Sequence, residues 1–390
     1  MSISPSLDTV GPPALNEPTP MLGGLSPAAF MRRHWHKQPL LVRQAFTDLQ
    51  PPVTRAELFR LAARDDVESR LVTRSGNGPR AAWSLQCGPL PRRSLLPIQQ
   101  PGWTLLVQGL DLHVPAAHAL LNRFRFIPQA RLDDLMISWA SAGGGVGPHF
   151  DSYDVFLIQV HGRRRWRIGR MADARLRPNL PVKIIANFRP EQEWVLEPGD
   201  MLYLPPGWAH DGDAVDGDCM TCSVGFRSAR RDELARETLL RLADDLDDTD
   251  AGDIYRDPGQ AATDTPGRLP EALLRFARQG LRRALDEPGA LARALGEYLS
   301  EPKPQVCFSP GASHDVMAGV RLDARSCMLY DDDHVFLNGE SWRAGGRDAQ
   351  TLHVLADRRH LAAGELRGAS KALKQLLATW LADGWLQVGG

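Results

Sequence analysis

Between residues 132 and 226 the chain is a series of short apolar runs separated by turn residues, and this punctuation most limits its fold. Runs at 135–140, 155–160, 163–168, 201–204 and 219–226 suit half-buried or buried strands better than packed helices. The breaks at 143–147, 161–162, 197–200 and 205–207 carry Gly or Pro. Such a set predicts an antiparallel sheet that closes on itself, as a small β-barrel or a double-sheet jelly roll. His161 and Gly162 read as a tight turn joining two separate strands.

Within this region, His149 and Asp151 are two residues apart in a strand-like setting. Side chains alternate along a strand, so both would face the same way and could grip one ion. The third ligand must come from elsewhere, and His210, after the turn at 205–207, is the candidate. Two His and one carboxylate leave coordination positions open, the arrangement used by non-haem Fe(II) oxygenases. Catalytic zinc sites use the same residue types, so zinc remains a rival metal. The plain alternative is a set of hydrogen-bonded polar residues on a barrel face.

Alternation over 163–168 places Arg164, Trp166 and Ile168 on one apolar face. Arg164 therefore points toward the core, and a buried guanidinium needs an anion. An internal salt bridge is the plain answer. The other is a bound carboxylate, which suits the planar fork of an arginine. 2-Oxoglutarate has that shape, with one end able to chelate a metal and a far carboxylate left for the cation. Ser138, on the strand before the Gly-rich loop, could add a hydroxyl donor, and Tyr153 reads as pocket lining. Cys219 and Cys222 are three apart on a strand and so face opposite ways, which argues against a shared zinc or redox role.

The flanking regions are helical, making the class α+β. Residues 1–22 are Pro-rich and read as a disordered tail, and 23–228 as the barrel domain with its N-terminal helices. Ser26–Pro27 and the Thr54/Glu57 pair are helix-start signals, the latter a capping box. Residues 229–303 read as helices around an acidic, Gly- and Pro-rich loop. In 304–390, short strands, two helices and a terminal strand suggest a winged helix. Near-cancelling charge (46 basic and 47 acidic residues, net −1) argues against strong nucleic-acid binding. Five scattered cysteines form no disulfide framework, and no apolar run is long enough to span a membrane, so a cytoplasmic location is expected.

With these residues in place, the chain resembles the JmjC-type ribosomal oxygenases, specifically the bacterial ribosomal protein arginine hydroxylases. The resemblance is carried by residues 132–138, 143–149, 153–156, 162–166, 197–207 and 223–227, and outside the barrel by 37–40 and 255–258. It implies a double-stranded β-helix of the cupin/JmjC kind, a helical dimerisation segment that would make a homodimer, and a C-terminal winged-helix domain. It implies Fe(II) at His149, Asp151 and His210, and 2-oxoglutarate at Arg164 with Ser138 beside it. The implied reaction uses O2 to hydroxylate the β-carbon of an arginine in the sixteenth large-subunit ribosomal protein. Alternatives are the same chemistry on a ribosomal histidine or another protein, a zinc cupin without cosubstrate, and a non-catalytic ribosome-binding module.

Overall fold

The computed structural model describes residues 11–76, 81–247, 254–311 and 315–389, which fall into two compact units, 1–228 and 229–390. The first unit opens with helix α1 (Pro27–Arg33), where the Ser26 side chain accepts a hydrogen bond from the Ala29 N–H. Strand β1 (Leu40–Val42) and helix α2 (Arg55–Leu61) follow. At α2 the Thr54 and Glu57 side chains cap each other's backbone reciprocally. Strands β2 (Ser69–Ser75), β3 (Ala82–Cys87) and β4 (Trp103–Val107) precede helix α3 (Pro115–Asn122). The barrel strands are β5 (Leu132–Ala140), β6 (Val155–Arg170), β7 (Gln192–Leu196), β8 (Met201–Leu204) and β9 (Trp208–Phe226).

All these strands pair antiparallel in the order β1-β8-β6-β9-β5-β4-β2-β3, with β7 also on β6. Strands β6 and β9 form the spine, running side by side from Val155 opposite Gly225 to Arg170 opposite Trp208. The expected turn at 161–162 is therefore absent. His161 and Gly162 are bulges inside one long strand, with register shifts on both sides of His161. Gly162 takes a left-handed φ of 61°, and a Cβ there would come 2.2 Å from the Asp218 carbonyl oxygen. Pairing along the whole of β9 outweighs the local turn signal and converts it into a bend.

The main core packs α1 and α3 against the sheet. Phe30, Phe124, Phe156, Phe226 and Tyr203 are fully buried, with ring centroids of Phe156 4.8 Å from Phe124 and 4.9 Å from Tyr203. Each such ring contributes about 1.5–3 kcal/mol relative to exposure. The expected tail is not loose to its end. Residues 1–10 lie outside the described set, but Met21 and Leu22 are buried in this core, because their apolar side chains find a partner surface there.

The second unit contains α4 (Arg231–Asp247), α5 (Glu271–Asp286) and α6 (Ala290–Ser300). It continues with β10 (Val320–Leu322), β11 (Met328–Tyr330), β12 (His334–Leu337), β13 (Glu340–Arg343), α7 (Gly346–Arg358), β14 (His360–Leu361), α8 (Lys371–Ala382) and β15 (Leu386–Val388). Two three-stranded sheets, β14-β10-β15 and β11-β12-β13, share a core with α7 and α8 around Trp380, Leu377 and Leu355. Asp331 accepts hydrogen bonds from the Asp333 and His334 N–H groups, so the acidic run at 331–333 is a self-capped turn. Helix α5 buries none of its residues.

Candidate metal centre

His149 and His210 sit directly opposite each other in an isolated antiparallel bridge. The His149 N–H donates to the His210 carbonyl at 3.0 Å, and the His210 N–H to the His149 carbonyl at 2.7 Å. This exchange places both rings on one face, their centroids 4.3 Å apart. The 149–154 segment is not a strand beyond that bridge, so Asp151 is not presented by strand alternation as expected. Instead the Gly207 N–H donates to the Asp151 carbonyl at 2.9 Å, and the loop returns the carboxylate to the same place. One ligand atom from each of His149, Asp151 and His210 lies within 4.8 Å of the others.

The tautomers suit a cation. His149 Nδ1 is 2.8 Å from the Gly147 carbonyl oxygen, and His210 Nδ1 is 3.0 Å from that of Trp208. With Nδ1–H donating to a carbonyl, each Nε2 keeps its lone pair for a metal. Burial, helped by the neighbouring His149 ring, pushes the His210 pKa down to about 4, so its imidazole is neutral at pH 7. His210 Nε2 is 3.6 Å from Asp151 Oδ2. Gly147 is required where it stands. Its φ is 78°, and a Cβ would come 2.6 Å from Ile184 and 2.9 Å from Trp83. Tyr153 lies beside Asp151, and burial with the Asp151 and Asp134 carboxylates raises its phenol pKa. Two imidazoles and one carboxylate fit a divalent cation with positions left open.

Arg164 is buried, and no carboxylate among the described residues lies within salt-bridge distance of it. The internal ion pair weighed above is therefore absent. One terminal nitrogen donates to Ser138 Oγ at 3.1 Å and the other to the Gly212 carbonyl at 3.1 Å. Its Nε has no partner, and the guanidinium carbon lies 4.8 Å from the Trp166 ring centroid. Ser138 accepts from Arg164 and is 3.4 Å from the Thr221 carbonyl, so its hydroxyl orients the cation. A desolvated positive charge held only by neutral groups is a site prepared for an anion. The cysteines face apart as expected, Cys219 opposite Ala140 and Cys222 opposite Ile137 on β5.

Two features were not read from the sequence. Gly212 touches both Trp166 and Arg164, and no local signal links residues 48 apart. Asp154 is a fully buried carboxylate accepting a hydrogen bond from the Tyr203 hydroxyl at 2.5 Å, with His36 Nε2 at 3.2 Å. Its place next to Tyr153, at the start of an apolar run, was the available signal.

A barrel of this connectivity that brings two His and one carboxylate together defines a cupin-type metal protein. Residues 119–234 match the JmjC domain, and residues 282–387 match the ROXA-like winged helix, whose match begins inside α5. The chain is 34% identical over 325 residues to the ribosomal protein uL16 3-hydroxylase of Escherichia coli (strain K12), covering 80% of this chain and 84% of that one. The X-ray structure of Escherichia coli ycfD superposes with a TM-score of 0.81 at 30% identity, covering 93% of this chain and 98% of that one. A structure of YcfD, a ribosomal oxygenase from Escherichia coli in complex with cobalt and 2-oxoglutarate, matches with a TM-score of 0.79 at 30% identity, covering 94% and 99%. The chain belongs to the ribosomal oxygenases, the JmjC-domain family with a C-terminal ROXA-like winged helix.

Proposed function

We propose that this protein is an Fe(II)- and 2-oxoglutarate-dependent hydroxylase acting on the β-carbon of an arginine in a large-subunit ribosomal protein. The observation that carries the cosubstrate is Arg164, a buried guanidinium without a carboxylate, on the face of β6 that also carries Trp166 beside His210. The YcfD relative crystallised with cobalt and 2-oxoglutarate supports this reading. The target is supported by the Escherichia coli relative, which is named a ribosomal protein uL16 3-hydroxylase.

His149 Nε2, His210 Nε2 and an Asp151 oxygen would hold the metal, and Arg164 with Ser138 would hold the far carboxylate of 2-oxoglutarate. Bound iron would supply oxidation of a substrate C–H by O2, coupled to decarboxylation of the cosubstrate to succinate. The chain's own part is positional. Carbonyls of Gly147 and Trp208 fix the imidazole tautomers, and the Arg164 cation orients an anion. Val155, Leu157, Ile168 and Leu204 pack in one apolar cluster with Trp166 and would limit water around Arg164. Such a C–H hydroxylation would need no side-chain proton carrier, so ligands and orientation are what the protein must supply.

Residues 229–303 would form the homodimer contact. Leu269, Leu281 and Leu285 of this segment are exposed, at 65%, 61% and 45%, and a second copy would cover them. No helix among the described residues is long and apolar enough to cross a membrane, and a ribosomal substrate would be met in the cytoplasm.

The test is mass spectrometry of ribosomal proteins incubated with the purified protein, Fe(II), 2-oxoglutarate and air, with a control lacking 2-oxoglutarate. One added oxygen on an arginine of the sixteenth large-subunit protein, in the complete mixture only, is the expected result. Oxygen on a histidine would overturn the target. Bound metal without cosubstrate consumption would overturn the reaction in favour of a zinc cupin or a binding module.

A further inference from the structure

We propose that Trp166 is a positioning residue that keeps the Arg164 guanidinium buried and aimed without a carboxylate, leaving the N–H groups that Ser138 and Gly212 do not use for an incoming dicarboxylate. The inference rests on Arg164 being the cosubstrate anchor. Arg164 and Trp166 are two apart on β6 and share the inward face. The guanidinium carbon is 4.8 Å from the indole centroid. Everything else that holds the cation is neutral, namely the Ser138 hydroxyl and the Gly212 carbonyl.

The negative face of an indole attracts a cation, and the attraction grows when water is excluded. A guanidinium that lies flat on an indole uses its face, whereas a carboxylate binds the N–H edge in the guanidinium plane. The two contacts therefore do not compete. A carboxylate at position 166 would also steady Arg164, but it would occupy that edge. The indole steadies the cation without doing so, and the contact persists when the ligand arrives.

The ring itself is fixed. Trp166 is directly opposite Gly212 on β9, and its centroid is 5.8 Å from that of His210. A Cβ on residue 212 would come 2.6 Å from the indole and 2.8 Å from Arg164 Nε. Gly212 thus lets the indole and the guanidinium both lie against the backbone of the strand that carries His210. Trp166 lies between the metal ligand and the cation and couples their positions.

The test uses the full chain loaded with Zn(II), which prevents turnover, and titration calorimetry with two probes. 2-Oxoglutarate reports on the far carboxylate, while 2-oxobutyrate chelates the metal without one. Trp166→Leu is expected to weaken 2-oxoglutarate about tenfold, with 2-oxobutyrate and Zn(II) binding changed by no more than about twofold. Trp166→Phe, which restores an aromatic face, is expected to recover most of the loss. Tryptophans of increasing fluorination placed at 166 should weaken 2-oxoglutarate stepwise as the ring face loses negative charge. Wild-type 2-oxoglutarate affinity in Trp166→Leu, equal losses for both probes, or indifference to fluorination would each overturn the inference. A wild-type chain that binds Zn(II) but no 2-oxoglutarate would overturn the anchor reading itself, an outcome visible before any variant is made.

Discussion

Replacing Arg164 by Met removes the charge, keeps much of the volume and should separate stability from function. The penalty for burying an ion is several kcal/mol. In the wild type it is offset by two hydrogen bonds from a charged donor, to Ser138 and Gly212, and by the contact with Trp166. The hydrogen bonds are worth about 1.5–3 kcal/mol each and the cation–π contact about 2 kcal/mol. The two sides nearly cancel. Metal-free, cosubstrate-free Arg164→Met should therefore unfold in urea within about 2 kcal/mol of the wild type, whereas breaking a buried ion pair costs about 3–5 kcal/mol. Binding is a different matter. A bidentate carboxylate would lose two charge-assisted hydrogen bonds, about 3–6 kcal/mol, so 2-oxoglutarate affinity should fall about 10²- to 10⁴-fold. Urea unfolding of the apo-protein and 2-oxoglutarate titration of the Zn(II)-loaded protein give the two numbers. A stability loss of an intact ion pair's size would refute the reasoning, because the guanidinium would then be a structural group. Unchanged 2-oxoglutarate affinity would refute it equally.

The remaining expectations concern the same face of the barrel. His210 has a folded pKa of about 4 against 6.5 for an ordinary histidine, so the unfolded chain takes up its proton first. The group's contribution is complete above pH 6.5 and is lost as pH falls toward 4, a change of about 3 kcal/mol for the metal-free protein. Urea unfolding between pH 7 and 4.5 should show this slope, and His210→Ala should flatten it; an equal slope in the variant would assign the effect elsewhere. Gly212→Ala forces a methyl against Trp166 and Arg164 and should cost about 1–3 kcal/mol, lowering the melting temperature by about 2–12 °C. An unshifted melting curve would mean that the indole moves aside freely.

Features set by near neighbours are legible in the sequence. The Ser26 cap, the Thr54–Glu57 capping box, and the short strands, helices and terminal strand of 304–390 depend on neighbours a few residues away, and the structure has them. The cluster of His149, Asp151 and His210 was legible because few residue types can bind a metal, and the resemblance supplied the JmjC core and the winged helix that the family models match. The alternation that places Arg164, Trp166 and Ile168 inward also held, since a strand's two faces are a local property.

Tertiary structure decided the rest, because it depends on pairings between distant residues. His161–Gly162 has the composition of a turn, yet the continuous ladder between β6 and β9 makes it a bulge. His149 and His210 are 61 positions apart, and only their reciprocal backbone bridge brings the rings together. Above all, the sequence allowed Arg164 either a salt bridge or a ligand, because a buried cation can take its counter-charge from anywhere in the chain. The fold surrounds it with a hydroxyl, a carbonyl and an indole, and that neutral enclosure is what only the packed barrel could decide.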